Sequence, residues 1–292
     1  MQVYDKLYIG GEWVDSTSKD RIEVTSPHTE ELIGSVPDAT PADMDRAVAA
    51  AREAFDHGPW PRMSPEERAA GLQRLTEQLG ARAQDIADTI SSENGSPAKW
   101  SLMGQVFSGV AVLGTYAGIT PTYTWADDRA GAFGSPVTVR RAPVGVVAGI
   151  IPWNVPLFIS ALKLGPAMAA GCPIILKPSP ETPLDGYMLA EAVAAADLPP
   201  GVVNVVAAGR ETGDHLIRHR GIDKVSFTGS TAVGRHIGAV CGEHLKRCTL
   251  EPGGEGMVDD PALARGVEVE RRAVTGRAGH RFDDEAGRDD GG

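Results

Sequence analysis

The chain has 292 residues, 42% of them hydrophobic and 23% charged, and a formal net charge of −11. That is enough apolar sequence for one large domain or two ordinary ones with a sizeable core. The acidic balance argues against nucleic acid and anionic membranes as partners, because both repel a polyanion.

The opening residues, Met1-Gln2-Val3-Tyr4-Asp5, carry neither the basic start nor the apolar core of a signal peptide. Leu7-Tyr8-Ile9-Gly10-Gly11-Glu12-Trp13-Val14 reads as a hairpin turned at the glycine pair, and residues 21–25 and 32–36 read as a second short pair. Thr40 can cap a helix with Pro41 at its first position and Met44, Val48, Ala51 and Phe55 on one face. Ser64-Pro65-Glu66-Glu67 is a capping box. The helix it opens carries Leu72, Leu75, Leu79, Ile86 and Ile90 on its buried side.

From residue 144 the rhythm changes to apolar strand, turn and helix, repeated. Strands are predicted at 144–151, 174–177, 202–206, 224–227 and 247–251, with helices near 156–170, 184–196, 212–219 and 232–241. Such alternation implies right-handed crossovers. The expected fold is therefore α/β, a Rossmann-like five-stranded, mostly parallel sheet accompanied by N-terminal helices and hairpins. Residues 142–162 are uncharged and long enough to span a bilayer. Pro143, Pro152, Asn154 and Pro156 interrupt them, and residues 144–151 are rich in β-branched side chains, so a buried strand, a turn and a helix start are expected instead. Cys172, Cys241 and Cys248 form no CxxC pair and have no metal-ligand spacing, which fits reduced thiols in a cytoplasmic protein.

Four blocks carry the chemistry: Ile150-Ile151-Pro152-Trp153-Asn154, Cys172-Pro173-Ile174-Ile175-Leu176-Lys177-Pro178-Ser179, Phe227-Thr228-Gly229-Ser230-Thr231-Ala232-Val233-Gly234, and Thr249-Leu250-Glu251-Pro252-Gly253-Gly254. In this order and spacing they resemble the aldehyde dehydrogenase superfamily, from about Leu7 to about Glu251. The resemblance implies oxidation of an aldehyde to an acid with NAD, NADP being the alternative. That chemistry needs a thiolate nucleophile, a hydride acceptor and a carboxylate base. It also needs donors for the oxyanion.

By resemblance, Asn154 is the oxyanion donor and Glu251 the base. Lys177 would reach the adenosine ribose or phosphate, and Phe227, Thr228, Gly229 and Ser230 would approach the pyrophosphate, where a helix start offers free amides. Ile150, Pro152, Trp153, Gly209 and Val233 are implied as further cofactor contacts. Structural readings stay open beside these. Asn154 could stabilise its own turn, Glu251 could be a plain strand-end carboxylate, Lys177 a solvated lysine and Gly209 an ordinary turn glycine, while Trp153 could simply pack. No metal site is expected.

The sequence also departs from the family. Pro180 stands where many members carry an acid for the ribose hydroxyls. Pro252 replaces an apolar residue beside the base, and Glu255 replaces a lysine. None of the three cysteines lies in a glycine-flanked loop a few dozen residues after the base, so the catalytic nucleophile is expected to be absent and the chain inactive by itself. The domain reading is thus a cofactor-binding domain over 1–251, with a bridging hairpin inserted at 119–143, and a tail over 252–292 in place of the catalytic domain. Thr138 to Arg141 would belong to that hairpin. The family's homo-oligomer is in doubt here, because its C-terminal oligomerising strand has no counterpart. A non-catalytic dinucleotide-binding remnant is the rival function.

Of the 41 tail residues, 16 are charged, 9 are glycine and only six are Leu, Ile, Val or Phe, a composition that predicts disorder. Gly, Ala, Arg, Pro, Asp, Glu and Val supply 36 of the 41, all residues with GC-rich codons, as expected of a GC-rich gene read out of frame. Translating the same DNA in its other two frames from codon 252 should then yield a Gly-Gly-Lys segment followed by a glycine-flanked cysteine. Neither frame doing so would overturn the frameshift.

Overall fold

Side-chain alternation along five parallel strands builds the architecture. The structure, a computed structural model, describes residues 1–252; the readings of the tail from 253 onward lie outside the described residues. In chain order the elements begin with strands β1 (Gln2–Val3), β2 (Lys6–Ile9), β3 (Glu12–Asp15), β4 (Arg21–Thr25) and β5 (Leu32–Pro37). Helices α1 (Pro41–Asp56), α2 (Pro65–Ala81) and α3 (Ala83–Asn94) follow. Next comes a helical run of α4 (Ala98–Trp100), a π-helical stretch (Ser101–Phe107) and α5 (Ser108–Ile119). A hairpin of β6 (Ala126–Ala130) and β7 (Pro136–Arg140) precedes the alternating part. That part comprises β8 (Val147–Ile150), α6 (Pro156–Ala169), β9 (Ile174–Lys177), α7 (Leu184–Ala195), β10 (Val203–Val205), α8 (Arg210–Arg218), β11 (Lys224–Gly229), α9 (Thr231–Glu243) and β12 (Arg247–Pro252).

The main sheet has the order β12-β11-β8-β9-β10-β2-β3. Its first five strands are the parallel ones expected from sequence. The N-terminal hairpin, expected beside a five-stranded sheet, instead adds two antiparallel strands at the β10 edge and makes the sheet seven-stranded. The junction has a polar cause. Gly10, in the hairpin turn at φ +67°, donates its N–H to Oδ1 of the fully buried Asn204 at 2.8 Å, and Asn204 returns to Gly201 O at 2.9 Å. The central strands β8, β9 and β10 are buried on both faces. Val147, Ile174, Leu176, Val203 and Val205 pack with α2, α5 and α6. Val146, Ala148, Ile175, Val225 and Phe227 join the core shared with α1, α8 and α9.

The capping box at Ser64 forms as expected, and the expected Thr40 cap is a capping box as well. Thr40 Oγ1 accepts from Asp43 N while Asp43 returns a carboxylate to Thr40 N at 3.1 Å, and Ser64 and Glu67 do the same. Burial works against the Asp43 charge, but hydrogen bonds from Ser16, Thr40, Thr17 and Arg46 hold its carboxyl down at about 2. The second helix departs from expectation. It breaks at Arg82, which leaves helical geometry and pairs with Glu191 of α7 at 2.6 Å, so Ile86 and Ile90 lie on a separate helix, α3.

Residues 142–162, weighed above as a span, form a loop, β8, a second loop and the start of α6. The helical run Ala98–Thr122, which the sequence reading leaves unassigned, is long and apolar enough to cross a bilayer by length and composition. One side of it packs on the core through Val106, Leu113 and Ala117. Further along, the Tyr116 ring of α5 packs against Gly165 of α6, where an added Cβ would come to 2.5 Å from the ring.

α3 also delivers a buried acid to α7. Glu93, 3% exposed, accepts N–H groups from Leu184 at 2.8 Å and Asp185 at 3.0 Å, capping α7 from another helix. Asp185 is itself buried, and its Oδ1 has no partner among the described residues. Burial and the nearby Asp185 charge push Glu93 well up, and burial pushes Asp185 up to about 7. A carboxyl raised in the fold carries no penalty below its unfolded value of roughly 4 and a growing one as pH rises through its folded value. Stability should therefore fall between about pH 4 and 7 on account of this pair. Asp185→Asn is expected to flatten that fall in urea midpoints measured across the window, and an unchanged slope would refute the assignment.

Candidate functional site

Ile150, the last residue of β8, pairs with Lys177 on one side and with Phe227 on the other, and Phe227 pairs in turn with Leu250. Four carboxyl ends therefore lie in one row. Parallel register turns these side chains to one face, on the side of α8 and α9, where Ile150, Phe227 and Leu250 pack together. A ligand crevice is expected at the carboxyl ends of such strands. Two cavities elsewhere, one lined by Arg220, Asp223 and Lys246 and one by Gln2, Leu32 and Thr89, include none of these residues.

Lys177 is not the solvated lysine that sequence left open. It is 6% exposed, and its stem lies 3.1 Å from where a Cβ on Gly213 of α8 would stand. Its Nζ donates to Pro178 O at 3.1 Å, and burial pushes the amine down to about 8. An ammonium carries three protons, so donors remain beyond that single bond.

Ser230 caps α9, its Oγ accepting Val233 N at 3.4 Å, and the first amides of that helix have no intrahelical partner. Thr231 Oγ1, at the same helix start, is buried without a partner among the described residues. Gly229 is required by a neighbour, since a Cβ there would come to 2.6 Å from the Phe227 ring. Val233 is partly exposed beside it. Gly209 has ordinary extended geometry as the cap of α8 and donates its N–H to Asp38 Oδ1 at 3.1 Å.

Pro152, Trp153 and Asn154 form the loop between β8 and α6. Its carbonyls are tied down: Thr182 Oγ1 and Asn94 Nδ2 donate to Trp153 O, and Asn94 Nδ2 also donates to Asn154 O at 3.2 Å. The side chains of Trp153 and Asn154 are exposed, and α6 begins after Val155 with no side-chain cap.

Glu251 belongs to the other face of the sheet. Its Oε2 accepts from Thr228 Oγ1 at 3.1 Å, and the same hydroxyl receives Lys163 Nζ of α6 at 2.8 Å, with Ser226 Oγ at 3.3 Å. Lys163 was missed from sequence; the signal was a lone lysine in an otherwise apolar helix. Burial pushes its amine down to about 8, with Glu251 acting in the opposite direction. The cysteines lie away from the row. Cys172 is buried just before β9 and its thiol is raised by burial, Cys241 is buried near the end of α9, and Cys248 is near the start of β12.

Lys163 and Lys177 together predict a pH effect. An amine lowered by the fold destabilises the folded chain below its folded value, and that penalty lifts as pH climbs from about 8 toward the ordinary 10.5. Urea midpoints should therefore rise between pH 8 and roughly 9.5. Lys163→Met and Lys177→Met should each shrink the rise, and a rise unchanged in both variants would contradict this.

The sequence matches the aldehyde dehydrogenase family over residues 13–259. It is 44% identical over 252 residues to geranial dehydrogenase of Castellaniella defragrans, covering 86% of this chain and 53% of that protein. Phenylacetaldehyde dehydrogenase of Pseudomonas fluorescens is 39% identical, with 87% and 52% covered. Among solved structures, a Mycobacterium tuberculosis aldehyde dehydrogenase complexed with NAD+ superposes with a TM-score of 0.84 at 45% identity, over 87% of this chain and 52% of that one. An NAD+ complex of the Bacillus cereus enzyme gives 0.82 at 37% identity, over 86% and 51%. The chain spans about half the length of the curated relatives it matches. With the strand order and the Thr228–Glu251 pair in place, the chain belongs to the aldehyde dehydrogenase family.

Proposed function

We propose that this chain is the NAD(P)-binding part of an aldehyde-oxidising machinery, taking the dinucleotide across the carboxyl ends of β8, β9 and β11. The observation that carries this reading is the row Lys177–Ile150–Phe227 beside the open start of α9. The residues fit the group. Lys177 keeps unused donors in a buried position suited to ribose or phosphate oxygens, and the buried, unpartnered Thr231 hydroxyl lies where free amides await an anion. Phe227, Thr228, Gly229 and Ser230 would hold the pyrophosphate, with Ile150, Pro152, Trp153, Gly209 and Val233 around them. When bound, the dinucleotide supplies the hydride acceptor. NAD is proposed first. Pro180, which offers no carboxylate against a 2′-phosphate, keeps NADP open.

The chain's own residues then divide the remaining work. Asn154 presents an exposed amide that can donate to a developing oxyanion. Glu251 can accept a proton, and the Lys163–Thr228 bridge fixes the height of its carboxylate. An aldehyde is the substrate class proposed, in keeping with the geranial and phenylacetaldehyde dehydrogenases among the relatives. Covalent attack also needs a thiolate, and Cys172, Cys241 and Cys248 all lie away from the row. The 292-residue chain by itself is therefore proposed to bind cofactor without turning over aldehyde.

Titration of the purified chain with NAD+ should show saturable binding by calorimetry. Lys177→Ala should weaken it by about tenfold or more, as expected for loss of a charge-assisted bond. No NADH should form with any aldehyde. A folded chain that binds no NAD+ at millimolar concentration, or a Lys177→Ala chain that binds unchanged, would sink the proposal.

A further inference from the structure

The connection from α9 into β12 brings two of the three cysteines together. A Cβ built on Gly238 of α9 would stand 3.3 Å from Leu250 Cδ1, so Leu250 of β12 lies directly against this helix. Cys248 is two residues before Leu250 and, by strand alternation, shares its face. Cys241 lies three residues after Gly238, about one turn along the same side of α9. The chain then reverses, Lys246 N donating to Cys241 O at 2.8 Å, so moving forward along the helix matches moving back along the strand. The two thiols interact as neighbours in consequence, Cys248 raising the Cys241 thiol. Their exposures differ sharply, Cys241 being 1% exposed and Cys248 open to solvent.

We propose that Cys241 and Cys248 form an oxidisable dithiol, which a peroxide converts to an intrachain disulfide joining helix α9 to strand β12. The chemistry balances in two steps. The exposed Cys248 sulfur attacks hydrogen peroxide, cleaving the O–O bond and giving a sulfenic acid and one water. The Cys241 sulfur then attacks that sulfenic sulfur, forming the S–S bond and expelling the second water, its thiol proton leaving with the departing oxygen. Two sulfurs are oxidised by two electrons in all, and one peroxide is reduced to two waters. Burial and the neighbouring Cys248 push the Cys241 thiol up to about 11. Since the thiolate is the attacking form, the second step should quicken as pH is raised. The bridge would fasten β12 three residues before Glu251 and leave Cys172, at the start of β9, untouched.

The test uses the whole native chain. Treated with hydrogen peroxide, or in parallel with diamide, it is alkylated and digested with trypsin, whose cuts after Lys246 and Arg247 separate the two cysteines. The expected result is a cross-linked pair of peptides, loss of two of the three free thiols and full recovery with dithiothreitol. Cys241→Ala should instead leave Cys248 as a sulfenic acid that dimedone traps. Irreversible sulfinic or sulfonic acid at Cys248 with Cys241 still alkylatable would overturn the proposal. So would a Cys248 bridge between two chains, or no bridge under either oxidant.

Discussion

β8 is hydrogen-bonded on both sides, to β9 and to β11, and this double pairing is the constraint on which the candidate site depends. Lys177 and Phe227 come from segments fifty residues apart, and they stand beside each other only because each is in register with Ile150. In a parallel sheet the partners of one residue face the same way, so the register also decides which face each neighbour serves. A slip of one residue in either pairing would send Lys177 or Phe227 to the α6 side and Thr228 to the α9 side. Gly149 helps to hold that register, since a Cβ there would press within 2.9 Å of Leu176.

The sheet therefore separates two kinds of chemistry by side. On the α8 and α9 face lie an apolar floor, a lysine with donors to spare and a helix start, all suited to an anionic ligand. On the α6 face lie a carboxylate and an amine that share one hydroxyl. Residues 227 and 228 are adjacent in the chain, and one belongs to each face. Strand alternation thus lets a single short motif contribute to both faces of the sheet.

Much of this was legible in the sequence, for identifiable reasons. All five parallel strands were found in order, because the central ones, buried on both faces, appear as short apolar runs between helices. The Thr40 cap and the Ser64 capping box were local patterns and both formed. What failed to show was tertiary. The hairpin joins the main sheet through Asn204, a polar residue inside an apolar run whose partner is nearly two hundred residues away. The break at Arg82 has no glycine or proline at that position, and the chain turns there to engage Glu191 on another helix. Lys163 carried no motif of its own, and its role is visible only once α6 is laid across the ends of Ser226 and Thr228. Cys241 and Cys248 likewise read as separate thiols until the turn at Lys246 folds them together.

The Tyr116–Gly165 contact sets a distance as well as filling space. Gly165 follows Lys163 by two residues, and α6 rests there against an aromatic ring from α5. The ring acts as a shim that limits how closely α6 approaches α5, and so how deeply Lys163 reaches down to Thr228. Pro166, the next residue, cannot donate to the carbonyl one turn back, which leaves the helix freer to bend at the point where the shim holds it. The alignment of the amine, hydroxyl and carboxylate is thus calibrated from the side of α6 remote from the sheet, by a residue that touches none of the three.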